Sequence, residues 1–341
     1  MLALPEFSQQ DYRLFPSRQD TRAAAADFYG MTYIPDTLPP ALAPRQLHLL
    51  LNGACPMRCN RFGACYGPAY DRRGEVSADQ WLESFRSFWV PQGVQLVTIS
   101  GGEPMLRPDL EDLVVGLREL GILVTLSTLG RGRRHDKLVN RPRLLAALHN
   151  VGVPMHGHTA KAHGRYMVTA AGQPAHQSWH DSLEIVQVVS GLGYNLMVDI
   201  RSVVTPLTWW SLLWLPEVLC ATEGVNLDYA EWTVYEPNFR SGPRQNAPNR
   251  AAVELPPGAF EQFCREAFRR MARQRQLLMF KSQSVSRAGG KYCFADPDGN
   301  VTLELATAEG GLQVVRLGHI SRPDELTENF NRIIAMVPLA A

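Results

Sequence analysis

Cys55, Cys59 and Cys65 fall within eleven residues, in CPMRCNRFGACYG, whereas Cys220, Cys264 and Cys293 are scattered. Clustered thiols in a reducing compartment bind metal or do redox work more often than they form structural disulfides. A structural zinc site takes four protein ligands, and no fourth Cys or His stands at short spacing here. Three thiolates suit a [4Fe–4S] cube, with three irons held by the chain and the fourth open to a non-protein ligand. The competing readings are incidental loop cysteines and a zinc site completed by a distant histidine. A second motif, Ser100-Gly101-Gly102-Glu103-Pro104, lies some 40 residues further on. Its paired glycines let backbone come close to a ligand, and the Glu103 carboxylate can accept hydrogen bonds from an ammonium group.

Both motifs need a scaffold, and the intervening sequence supplies one. Residues 46–52, 94–100, 122–128, 151–157, 194–205 and 225–235 are short apolar, β-branched runs that read as buried parallel strands. Segments of helical spacing lie between them. Ser77 opens one as N-cap, running to Val90, and Pro108 is placed at N1 of another that ends at Leu120. Residues 138–149, 178–190 and 208–221 complete the set, with Trp209, Trp210 and Trp214 expected in the core. Strands alternating with helices imply βαβ crossovers, in either an open doubly wound sheet or an incomplete barrel. In both architectures the cysteine loop and the GGEP turn sit at the C-terminal strand edge, where chemistry is placed.

Residues 1–45 form a Pro-containing N-terminal extension, 46–235 the core, and 236–341 a C-terminal extension of one helix and a β-hairpin turning at DPDGN. With 34 basic and 33 acidic residues, net charge +1, the 341-residue chain has no global field to attract nucleic acid or an acidic membrane. No apolar run reaches the ~20 residues that a transmembrane helix needs, and the first residues do not read as a secretory signal, so a cytoplasmic location is expected.

The cysteine loop after the first strand, GGEP after the second and the βα repeat together resemble the radical S-adenosylmethionine (SAM) enzymes. The resemblance implies an α/β fold built as a partial (β/α)6 TIM-like barrel with a small C-terminal α+β extension. It implies that Cys55, Cys59 and Cys65 hold one [4Fe–4S] cluster, whose open iron is chelated by the amino and carboxylate groups of SAM. Gly101, Gly102 and Glu103 would then contact the methionyl amino group. Ser127, with Thr128, His156 and Arg201 stand where relatives place further SAM contacts. The spacing here is C-x3-C-x5-C rather than the family's usual C-x3-C-x2-C, with Phe62-Gly63-Ala64 inserted. Reductive cleavage of SAM would yield a 5′-deoxyadenosyl radical that abstracts hydrogen from substrate, with flavodoxin or ferredoxin as external electron donor. Cys293 stands alone in the C-terminal extension, so a single cluster is expected.

Arg131, Arg133 and Arg134 follow the third strand, and Arg240 and Arg244 the sixth, on loops that open to the iron face in a barrel. These guanidinium groups suit phosphate or carboxylate. The sequence therefore favours a small, anionic, possibly nucleotide- or sugar-linked substrate in natural-product biosynthesis. Peptide modification is the alternative, and a zinc-binding interaction module the alternative from another class.

Overall fold

The computed structural model describes residues 12–13, 46–57, 75–133, 136–192, 196–237, 249–273, 279–283, 291–306 and 312–336. Cys59, Cys65, Arg134, Arg240 and Arg244 lie outside the described residues.

Six strands carry the core: β2 (Gln46–Asn52), β3 (Leu96–Gly101), β4 (Leu123–Ser127), β5 (Asn150–Pro154), β6 (Met197–Val203) and β7 (Ala230–Tyr235). Each pairs in parallel with the next in sequence. The order never reverses, and that excludes the doubly wound sheet, whose strand order switches direction. Two strands from beyond residue 235 prolong the parallel array at opposite edges: β8 (Met279–Gln283) beside β7, and β9 (Lys291–Ala295) beside β2. Only residues 284–290 separate them, a reach of at most about 28 Å. The two edges therefore lie within that reach of each other, as in an incompletely closed barrel. The two-residue β1 (Tyr12–Arg13) adds antiparallel to β8. Strands β10 (Asn300–Ala306) and β11 (Leu312–His319) follow β9, with the β9–β10 hairpin turning at Asp296–Gly299 as expected from DPDGN.

Strand alternation divides the sheet chemically. Leu47, Leu49, Val97, Ile99, Val124, Leu126, Val151, Val153, Val198 and Ile200 are fully buried on one face, in a single core with Trp81, Phe85, Leu113, Leu117 and Val189 from the helices. The opposite face is polar. Thr98, Thr125 and Asn150 stand in register across β3–β5, then Ser127, Gly152, Asp199 and Glu231 across β4–β7, then Arg201 and Thr233. A barrel interior closed by packing is lined with branched apolar side chains. This lining is suited instead to holding a polar ligand.

The helices follow local chemistry. Helix α1 (Ala78–Ser84) starts at a capping box in which Ser77 and Gln80 cap each other's backbone, and continues as a π-turn over Phe85–Trp89 that buries Phe85, Phe88 and Trp89. Helix α2 (Leu110–Glu119) begins two residues later than Pro108 at N1 requires, with Asp109 as N-cap. The reason is Arg107, which holds the Asp109 carboxylate while Ala78 N–H donates to it at 2.9 Å. Proline splits two other segments. A 3-10 turn at Leu138–Asn140 precedes α3 (Pro142–Ala147), and α6 (Trp209–Leu212) is separate from α7 (Leu215–Ala221). Trp210 and Trp214, four residues apart, face outward, 72% and 49% exposed, contrary to the core placement expected from sequence, while Leu212, Leu213 and Leu215 take the buried positions. Trp209 alone of the three packs inward, edge-on to Phe263. Helices α4 (Ala160–Tyr166), α5 (His176–Leu192), α8 (Ala259–Arg273) and α9 (Pro323–Met336) complete the described set. No described helix is long and apolar enough to cross a membrane.

Candidate functional site

The ends of β2 and β3 meet at the C-terminal edge. Gly102 N–H donates to Asn52 O and Glu103 N–H to Ala54 O, both at 2.7 Å, and Asn52 Nδ2 donates to Glu103 O at 3.0 Å. A Cβ on Gly102 would lie 2.1 Å from Ala54 O. At Gly101, where φ is +116°, it would lie 2.6 Å from Asn52 O. The close approach these glycines permit is to the chain's own backbone, immediately before Cys55. Thus the GGEP turn and the chain segment Asn52–Ala54 that leads into Cys55 are one structural unit.

Glu103 is 1% exposed. Its carboxylate accepts from Met105 N–H at 3.0 Å, Leu129 N–H at 2.6 Å and the Thr128 hydroxyl. Burial pushes the carboxyl up to about 7, against the lowering effect of those three donors. A cation arriving beside it would favour the ionised form. Asn52, 2% exposed, has no partner for Oδ1 among the described residues. An orphaned acceptor and a buried carboxyl, at the strand ends from which the Cys55 segment departs, suit a cationic ligand.

Arg201 reaches across the polar face. Its Nε donates to Asp199 Oδ2 at 2.6 Å and its Nη1 to the Ser127 hydroxyl, while Thr233 donates to Asp199 Oδ1 at 2.6 Å. Gly152 makes room, because a Cβ there would lie 2.4 Å from the guanidinium carbon. Burial disfavours the charge, but Tyr235, Asp199 and Glu231 outweigh it and hold Arg201 protonated.

His156 serves the scaffold at its Nδ1, which accepts from Val203 N–H at 3.1 Å, and its ring lies between those of His163 and Tyr166. His163 accepts from His156 N–H. No group of three metal-ligating side chains is assembled among the described residues. Burial lowers His48 to about 4 and His163 to about 3, with Arg201 and His176 respectively adding to the effect, and lowers His156 well below the ordinary value. On unfolding below pH 6.5 these three histidines take up protons, whereas Glu103 releases one. The histidines outnumber it. Apoprotein is therefore expected to lose on the order of 2 kcal/mol of stability between pH 7 and pH 5. Urea unfolding at the two pH values measures this, and greater stability at pH 5 would contradict it.

The arginines separate. Arg131 forks onto Asp181, with contacts of 2.9 and 2.6 Å. Arg133 is exposed and lines a cavity of about 360 Å³ with Asn52, Ala54, Ser77, Arg107 and Asp109. Arg107 was not singled out from the sequence. It is 6% exposed and donates to Leu51 O and Val76 O as well as Asp109, fixing the end of β2. Asn52 was also missed, although a polar residue ending an apolar strand beside a cysteine loop is a usable signal. Cys293 is fully buried opposite Leu47 on β2, and burial raises its thiol pKa.

A family model described as the radical SAM superfamily matches residues 50–212, which span both halves of this unit. Residues 50–212 are a radical SAM domain. The match marks the chain as an enzyme and ties it to that superfamily's cofactors, a [4Fe–4S] cluster and SAM. Among curated proteins, PqqA peptide cyclase of Streptomyces rochei is 36% identical over 147 residues, covering 39% of this chain and 39% of that protein. The chain spans less than half the length of the curated relatives it matches. Streptococcus suis SuiB bound to precursor peptide SuiA superposes with a TM-score of 0.58 at 16% identity, over 88% of this radical SAM chain and 68% of SuiB. Native anSMEcpe with bound AdoMet gives 0.59 at 16%, over 85% and 82%. At these identities the two structures establish the shared fold, a partial barrel that is not closed.

Proposed function

We propose that this chain cleaves SAM reductively at a [4Fe–4S] cluster held by Cys55, Cys59 and Cys65, and that the 5′-deoxyadenosyl radical abstracts hydrogen from a peptide substrate. The observation that carries the proposal is the docking of Gly102-Glu103 on Asn52–Ala54, which joins the turn bearing the buried Glu103 to the strand end one residue before the first cysteine of the loop. In this reading Glu103 and Asn52 Oδ1 receive the methionyl ammonium, and Arg201, with Ser127, faces the cofactor's carboxylate from across the polar lining. The cluster and SAM supply the radical. The chain's own residues orient the cofactor and keep water from it.

Peptide modification replaces the small anionic substrate favoured by sequence. Two things support the change: the 36% identical relative is a peptide cyclase, and Arg131 is committed to Asp181. Arg133 remains the described arginine best placed to meet a substrate carboxylate. An external flavodoxin or ferredoxin would deliver the electron.

The test is anaerobic reconstitution with iron and sulfide, followed by reductant and SAM, with peptides encoded beside the gene and small-molecule pathway intermediates assayed in parallel. Release of 5′-deoxyadenosine that rises with a peptide, together with a change in that peptide's mass, is the expected result. Stimulation by a small molecule alone would restore the sequence-based substrate. One equivalent of zinc with no SAM turnover would instead support the interaction module.

A further inference from the structure

Between α4 and α5 the chain makes a small hairpin that periodicity in MVTAAGQPA does not announce. Thr169 N–H donates to Gln173 O at 2.8 Å and Ala175 N–H to Met167 O at 3.0 Å, and Val168 bridges Pro174. Gly172, at φ +80°, closes the turn by donating to Thr169 O at 2.8 Å. The other edge of the hairpin is occupied by the cysteine loop itself. Thr169 bridges Met57 antiparallel, and Ala170 N–H donates to Pro56 O at 2.7 Å.

The base of this hairpin is buried. Tyr166, Met167, Val168 and Ala175 are each at most 3% exposed. Tyr166, Met167 and Ala175 form a small apolar cluster with Leu129 and Val253, and Cys55 and Met57 pack against it. His163, at the end of α4, lies within hydrogen-bonding distance of the Ser178 hydroxyl at the start of α5, 2.8 Å away. Met57 is thus pinned from outside, and its own N–H points back at Cys55 Sγ, 3.4 Å away.

The geometry points to the 167–175 hairpin as the positioning element for the first cluster ligand. By holding Pro56 and Met57 it aims a backbone N–H at the Cys55 sulfur and thereby sets the reduction potential of the cluster. This inference rests on the radical SAM reading given above. Hydrogen bonds to ligand sulfur draw off electron density and favour the reduced cluster, so they raise its potential. Ala170 is exposed, and its backbone N–H is the group that matters.

Ala170→Pro removes that donor without touching the apolar cluster, whereas Ala170→Ser retains it. In apoprotein, iodoacetamide should alkylate Cys55 several-fold faster in Ala170→Pro than in wild type, read by peptide mass spectrometry. In reconstituted protein the Ala170→Pro cluster should reduce at a more negative potential, with altered electron paramagnetic resonance of its reduced form. Ala170→Ser should match wild type in both. Gly172→Val, which strains the turn from a distance, should act in the same direction and serves if Ala170→Pro does not fold. Equal potentials and equal alkylation rates in wild type and a folded hairpin variant would overturn the inference. If wild-type protein assembles no iron–sulfur cluster, the radical SAM reading fails, while the Cys55 alkylation rates still decide whether the hairpin positions that residue.

Discussion

Gly102→Ala is expected to cost about 3 kcal/mol of stability or more and to bring reconstituted iron down to background, although alanine adds only a methyl group. That methyl would sit 2.1 Å from Ala54 O and 2.9 Å from Ala54 N, and both atoms are backbone. A flexible side chain can move aside, but a strand end anchored by two hydrogen bonds cannot. The bonds from Gly102 N–H to Asn52 O and Glu103 N–H to Ala54 O must open, and each buried pair left unmade costs about 1–3 kcal/mol. The displacement also moves Cys55 relative to Glu103. Gly121→Ala is the control. Gly121, unlike Gly102, has a positive φ, +78°, but nothing lies within 4 Å of its Cβ position, so only local strain of about 1 kcal/mol is expected, with iron retained. Urea denaturation and iron content, measured on both variants, decide the matter. Equal behaviour would show that the glycine is not required by the approach of the two strands.

The six core strands were legible because each must present an apolar face to the helices, and Val97/Ile99 or Val198/Ile200 write that requirement into the sequence at period two. The helix starting at Ser77 was legible for a local reason, the reciprocal cap with Gln80. Features that depend on long-range pairing were not. Nothing in the segments 279–283 and 291–295 says that they flank opposite edges of the parallel array, and the 167–175 hairpin takes its meaning from Met57, more than a hundred residues away. Pro108 carried a sound signal for N1 that lost to the ion pair of Arg107 with Asp109. The indoles of Trp210 and Trp214 read as core by composition, but Leu212, Leu213 and Leu215 take the buried positions and leave them on the outer face.

At the candidate site, residue types were easier to read than their roles. Gly101, Gly102 and Glu103 read as SAM contacts; in the structure the glycines allow close backbone packing and Glu103 ties β3 to the turn after β4. Arginine-rich loops read as anion grips. The structure pairs Arg131 with Asp181 and leaves Arg133 exposed, a distinction that sequence spacing cannot make because Asp181 is fifty residues distant on α5.

Arg201→Met should cost about 3–5 kcal/mol, because it leaves the Asp199 carboxylate, 5% exposed, in the barrel with Thr233 as its remaining hydrogen-bond donor. Pairing it with Asp199→Asn removes the stranded charge, and the side-chain amide oxygen so introduced can still accept from Thr233. The double variant should therefore recover most of the lost stability, with a coupling energy of about 1–3 kcal/mol in the cycle. SAM binding is expected to behave differently. If the Arg201 guanidinium meets the cofactor's carboxylate as proposed, affinity stays low in the double variant even though the fold has recovered, since no cation replaces it. Calorimetric SAM titration of the reconstituted single and double variants separates the two roles. Recovery of affinity together with stability would assign Arg201 to holding the barrel lining alone, and Asn52 and Glu103 would then be left to orient the cofactor from the opposite side.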